Sequence, residues 1–166
     1  MVSKFLYWDN AIEKMIGFKT IRSMFDELSK YKQGNFFFQA TDSLVEVCNV
    51  SSYNYGLYLV YALRKGRVEL VYINKSGPPE KSKELKPNPD IVDDLRENLL
   101  NGFQFGEIER KNSWPVQMMI EDIEALHIHW YVTYDHKNKD LPATMKSKIL
   151  QIYQGIYGQL PRWNQV

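Results

Sequence analysis

Residues 56–77 read GLYLVYALRKGRVELVYINKSG, and this stretch decides the fold. Residues 56–62 and 68–73 are two runs rich in aromatic and branched side chains. Arg64-Lys65-Gly66-Arg67 between them carries turn chemistry, so the pair reads as a β-hairpin. Downstream, residues 125–135 alternate at period two. Leu126, Ile128, Trp130, Val132 and Tyr134 fall on one face, and His127, His129, Tyr131 and Thr133 on the other, which predicts a third strand.

Helices fill the spaces between. Apolar residues near helical spacing over 8–31 (Ile12, Met15, Ile16, Met24, Phe25, Leu28) predict one long helix or two shorter ones, ended by turn chemistry at Gln33-Gly34-Asn35. Phe36-Phe37-Phe38 is a short extended piece, and Asp42-Ser43 starts a further helix at Leu44. A helix is expected from Asp90 as its cap to Gly102, and a last one from Pro142 to Gly158. Residues 75–89 hold four prolines without apolar periodicity and read as a linker. Trp114-Pro115 and Leu160-Pro161 are expected to terminate or direct segments. The sum is α+β: a small three-stranded antiparallel sheet flanked by helices, with residues 1–41 as a helical N-terminal extension and 42–166 as the main domain.

Composition narrows the classes of function. Apolar residues are 44% and charged residues 25% of 166, which excludes a wholly disordered chain. The net charge of +1 excludes a strongly basic or acidic protein but leaves local patches open. A single cysteine, Cys48, forms no internal bridge, and as part of an apolar run it reads as a buried thiol rather than a nucleophile. Residues 1–14 lack the apolar core of a secretion signal, and no run approaches a membrane span, so a cytoplasmic protein without membrane partners is expected. His127 and His129 share a strand face, either as metal ligands or as a satisfied polar pair.

Gly56-Leu57-Tyr58 and Tyr72-Ile73-Asn74-Lys75-Ser76-Gly77 resemble the paired signatures of the GIY-YIG nuclease superfamily. The order of elements that follows, the stretches 101–106 and 113–115, and the ending Gly158–Asn164 resemble it too, over residues 42–164. The resemblance implies a DNA-interacting, endonuclease-like protein. Tyr58 would help to activate water and Tyr72 would support that geometry, with Asn164 as the terminal asparagine. The family's phosphate-clamping arginine falls at Asn98, with Arg96 about 200° away around the helix. Its metal-holding glutamate falls at Lys146, and lysine is no ligand for Mg²⁺. The implied catalytic set is therefore Tyr58, Tyr72, Arg96 and Asn164 with degenerate or lost hydrolysis. No metal cofactor is expected; Mg²⁺ or Mn²⁺ would enter only through an unrecognised carboxylate.

Tyr58 and Tyr72 also read as plain strand aromatics, in a chain with eleven tyrosines. The candidate nucleic-acid contacts are Lys75, Arg110, Lys111, Lys146, Lys148 and Arg162. Over 137–166, five basic residues face Asp140 alone, the local excess that backbone contact to DNA requires. A non-catalytic nucleic-acid-binding module and a protein-interaction module are the alternatives on the same scaffold.

Overall fold

A computed structural model describes residues 26–79 and 92–165. Its frame is one antiparallel sheet of four strands: β1 (Lys32–Phe38), β2 (Tyr55–Arg64), β3 (Arg67–Lys75) and β4 (Ala125–Tyr134), in the order β1-β4-β2-β3. The hairpin forms as its sequence predicts. Arg64 pairs with Arg67 across a two-residue turn in which Lys65 and Gly66 both have positive φ, the geometry that follows the strand twist.

The expected three strands are four. Gln33-Gly34-Asn35, read as a turn, lies inside β1 and pairs with Trp130 and its neighbours on β4. Glycine serves packing here, because a Cβ on Gly34 would overlap the indole of Trp130. The helix expected over 8–31 lies, up to residue 25, outside the described residues, as do residues 80–89 of the proline-rich stretch and the expected cap Asp90.

Helices cover both faces of the sheet. On one lie α1 (Leu44–Val47), α2 (Leu95–Asn101) and α3 (Arg110–Ile120), burying Leu44, Leu95, Leu99, Trp114 and Met118 against Tyr58, Val60, Ile128 and Trp130. On the other lies α4 (Pro142–Tyr157), which packs Met145, Ile149 and Tyr153 on Leu57, Leu59 and Ile73. The histidine face of β4 is therefore as buried as its apolar face. The α4 prediction holds to its ends, with Gly158 as the left-handed cap at φ 72°.

Two expectations for the helices are corrected. The helix read from Asp90 begins later: Asp94 is its cap, accepting from the Glu97 and Tyr53 amides at 2.8 and 2.6 Å, while Gly77 donates to the Asp93 carbonyl. Main-chain bonding outside the helix thus holds residues 93 and 94 extended. Trp114-Pro115, read as a segment end, lies inside α3. Trp114 is fully buried there, and its burial holds the turn that Pro115 leaves one hydrogen bond short. A short 3₁₀ turn (Arg162–Asn164) closes the chain against β3. No described helix is long and apolar enough to cross a membrane.

Candidate functional site

Register brings the two tyrosines together, and a bulge is the reason. Tyr58 pairs with Asn74 and Val60 with Tyr72, but Tyr61 pairs with Leu70, so Val71 is an extra residue in β3. Strict alternation would put Tyr72 on the face of Leu70, under α4. The extra residue moves it to the face of Tyr58. The rings meet edge to face at 6.2 Å between centroids.

The two hydroxyls have different surroundings. Tyr58 is fully buried and donates to Asn98 Oδ1 at 3.0 Å while accepting from Asn74 Nδ2 at 3.2 Å, and burial pushes its phenol well above the usual range. Tyr72 accepts from Arg110 Nη2 at 2.9 Å, and its ring lies 5.5 Å from that guanidinium. Among the described residues no acceptor takes the Tyr72 proton. Tyr72 is thus the tyrosine that faces an opening.

Arg110 opens α3 yet is only 4% exposed. Its Nε donates to Gln104 Oε1 at 3.2 Å and its Nη1 to the Asn98 carbonyl. All its acceptors are neutral, so its charge is undiminished by a bonded carboxylate. The carboxylate whose field reaches both Arg110 and Tyr58 is Asp93, which accepts from Asn98 Nδ2 at 3.0 Å. Lys146 comes from α4 over the edge strand β3 and donates to Asn74 Oδ1 at 3.1 Å. Burial and the charges of Lys75 and Arg110 hold its ammonium below the ordinary lysine range. The fields of Lys75 and Arg110 thus meet at Lys146, while the Lys75 ammonium itself donates to the Ser76 carbonyl at 3.2 Å.

Tyr72 and Lys146 border a cavity of about 380 Å³, whose other walls are Phe103, Gln104, Phe105 and Trp163; Lys75 lies outside it, beside Pro142 at the start of α4. Asn164 also borders it, but its amide is spent on the sheet. Its Oδ1 accepts from the Ile73 amide at 2.9 Å and its Nδ2 donates to the Ile73 carbonyl at 2.8 Å, closing the free edge of β3. No carboxylate lines the cavity, and no group of three His, Cys, Asp or Glu that could hold a metal occurs among the described residues.

The other candidates lie elsewhere. Arg96 donates to the carbonyls of Val45, Cys48 and Val50 at 3.0–3.1 Å, tying α2 to the α1 segment, in keeping with its offset from Asn98 around the helix. Lys111 pairs with Glu109, Lys148 with Glu27, and Arg162 with Glu69 and Glu121. Of the five basic residues of 137–166, Lys148 and Arg162 are thereby paired with carboxylates from other parts of the chain. His129 bonds His127, which bonds Asn35 and stacks on Phe37; burial lowers the two rings to about 4 and about 3, so both are neutral. Cys48 is buried, and burial pushes its thiol up. The sequence reading missed Gln104, Phe103 and Phe105; their signal is an aromatic pair around a polar residue just before Gly106. Compared with protein-family models, curated proteins and solved structures, the chain matches none.

Proposed function

We propose that the chain is an endonuclease-like, nucleic-acid-binding protein of GIY-YIG type in which metal-dependent hydrolysis has been lost. The observation that carries this reading is one opening shared by Tyr72 and Lys146, with the Arg110 guanidinium bonded to Tyr72 and no carboxylate of the described residues in its lining. Phosphodiester hydrolysis of the metal-assisted kind needs a carboxylate-held cation to stabilise charge at the phosphorus. Here Lys146 occupies that neighbourhood and supplies a fixed positive charge instead. The likeness to the nuclease superfamily rests on the hairpin motifs, and their tyrosines do share one face.

A binder follows from these parts. A phosphate at the mouth of the cavity meets the Lys146 ammonium, with the buried Arg110 charge behind Tyr72. Tyr58, saturated by Asn74 and Asn98, holds the floor in place rather than meeting solvent. Such contacts are cation-independent and salt-sensitive, because each neutralised phosphate releases counterions.

The test is fluorescence anisotropy with labelled DNA in EDTA at low and high salt, alongside plasmid incubation with Mg²⁺ or Mn²⁺. Binding that persists in EDTA, weakens steeply with salt and is accompanied by no nicking supports the reading. Salt-insensitive binding, or cleavage that Tyr72→Phe abolishes, overturns it.

A further inference from the structure

Gln104 carries an unused pair of donors. It is 8% exposed, and its Oε1 accepts from both Arg110 Nε, at 3.2 Å, and Trp114 Nε1, at 2.8 Å. Two N–H donors converging on one atom require that atom to be the oxygen, so the amide cannot be turned over. Its Nε2 is buried and without a partner among the described residues, and Gln104 is one of the residues that line the Tyr72–Lys146 cavity. A buried donor left unmade carries the full penalty of its desolvation. An acceptor brought by a ligand removes that cost.

The remaining walls are aromatic. Residues 103–109 form a small finger, closed by the Phe103–Glu109 bridge and by the Gln104 amide donating to the Ile108 carbonyl at 3.0 Å. At its tip Phe105 has φ 58°, a left-handed conformation that a side chain of this size seldom adopts. Its ring is held edge-on to Trp163 at 5.0 Å. Phe103, by contrast, is 62% exposed at the cavity rim, where no core requires it.

A flat ring carrying an acceptor fits this combination of aromatic rim and fixed amide donor. We infer that the cavity receives one unpaired nucleobase of a single-stranded nucleic acid, stacked on Phe103 with a ring acceptor on Gln104 Nε2, while Lys146 holds its phosphate. This rests on the binding function proposed above and names its substrate class. A cavity of about 380 Å³ is near the lower end of small-ligand sites, the size range of a single nucleotide. Duplex DNA keeps its bases stacked, so it meets the lysine alone.

The test compares three probes by anisotropy in EDTA: oligo-dT of about ten nucleotides, the same length of abasic strand, and a blunt duplex of that length, a size that spans one such site. Stacking predicts that oligo-dT binds about five-fold or more tighter than the abasic strand. Phe103→Ala, at an exposed position, should collapse that ratio towards one, and Phe103→Trp should keep it. Equal affinity for oligo-dT and the abasic strand, tighter binding of the duplex, or a ratio untouched by Phe103→Ala overturns the inference while leaving the backbone-binding reading in place. If none of the three probes binds, both fall together.

Discussion

The guanidinium of Arg110 lies against Gly102 so closely that a methyl group there would overlap Nη1 and crowd the Asn98 carbonyl to which that nitrogen donates. The backbone at Gly102 is ordinary, with φ −62° and ψ 146°, so the glycine is required by space and not by conformation. Gly102→Ala is therefore expected to displace Arg110 from Tyr72. The loss should be about 1–3 kcal/mol in urea unfolding, the usual cost of overpacking a buried site. DNA affinity should fall with it, and a variant with unchanged stability and affinity would show that the guanidinium has another route.

Gly102 also marks where the sequence stops being readable. The hairpin, β4 and α4 could be read because each carries a local signal: a turn between branched runs, strict alternation, and a proline start with a glycine stop. Strand β1 was read only at its end, Phe36–Phe38; its start was not, since Gly34 imitates a turn residue while answering to the Trp130 ring, which is remote in sequence. The bulge at Val71 leaves no mark in composition, yet it decides which face Tyr72 joins. The Tyr58–Tyr72 pair was legible through its motif. Arg110 as the buried partner of Tyr72 was not, because contact depends on how the 103–109 finger returns the chain to α2.

Lys146 and Lys148 look equivalent in sequence and are separated by the structure. Lys146 reaches Asn74 beside Tyr72, whereas Lys148 pairs with Glu27. Lys146→Glu should reduce DNA affinity about ten-fold or more at low salt and flatten its salt dependence, as loss of a phosphate contact does. Lys148→Glu should instead lose an exposed ion pair worth about 0–1 kcal/mol of stability, with affinity nearly unchanged. Equal losses from the two variants would place the contact along the outer face of α4.

Asn164 holds both main-chain groups of Ile73 through one side chain. Asn164→Ala leaves an edge amide and carbonyl without their partner, at about 1–3 kcal/mol if water does not replace it. Trp163, buried beside Phe105, is the reporter. A red shift of tryptophan emission at denaturant concentrations where β4 remains protected from hydrogen exchange is expected, because the C-terminal turn should open first.

The buried histidine pair predicts acid sensitivity. Their folded values, about 3 for His127 and about 4 for His129, lie below the ordinary 6.5. On acidification the unfolded chain binds protons before the native one does, so stability falls as pH drops from about 6.5 towards 4 and is fully present above 6.5. At about pH 5 the loss is on the order of 2 kcal/mol per histidine. Urea titrations at neutral pH and near pH 5 measure it. His129→Gln, which can still donate to His127 Nδ1, should remove about half of the difference. A midpoint independent of pH over this interval would mean that the pair is protonated in the native state.

Lys146 supplies the corresponding test on the alkaline side. Burial, with Lys75 and Arg110 close by, holds its folded value below the ordinary 10.5, so as pH rises its charge is lost before that of a free lysine. An anion bound against the ammonium needs the protonated form, and affinity for oligo-dT should therefore decline as the pH rises while it is still below 10.5, where exposed lysines remain mostly charged. Stability moves the opposite way. Above the folded value and below 10.5 the unfolded chain holds more protons, so the protein gains stability while it loses affinity. Lys146→Arg, charged throughout this range, should keep the affinity flat with pH, and Lys146→Gln should be flat and weak. If the wild-type profile were level while Lys146→Gln still bound weakly, the lysine would act through its bond to Asn74 rather than through its charge. A profile unaffected by either substitution would remove Lys146 from the contact surface.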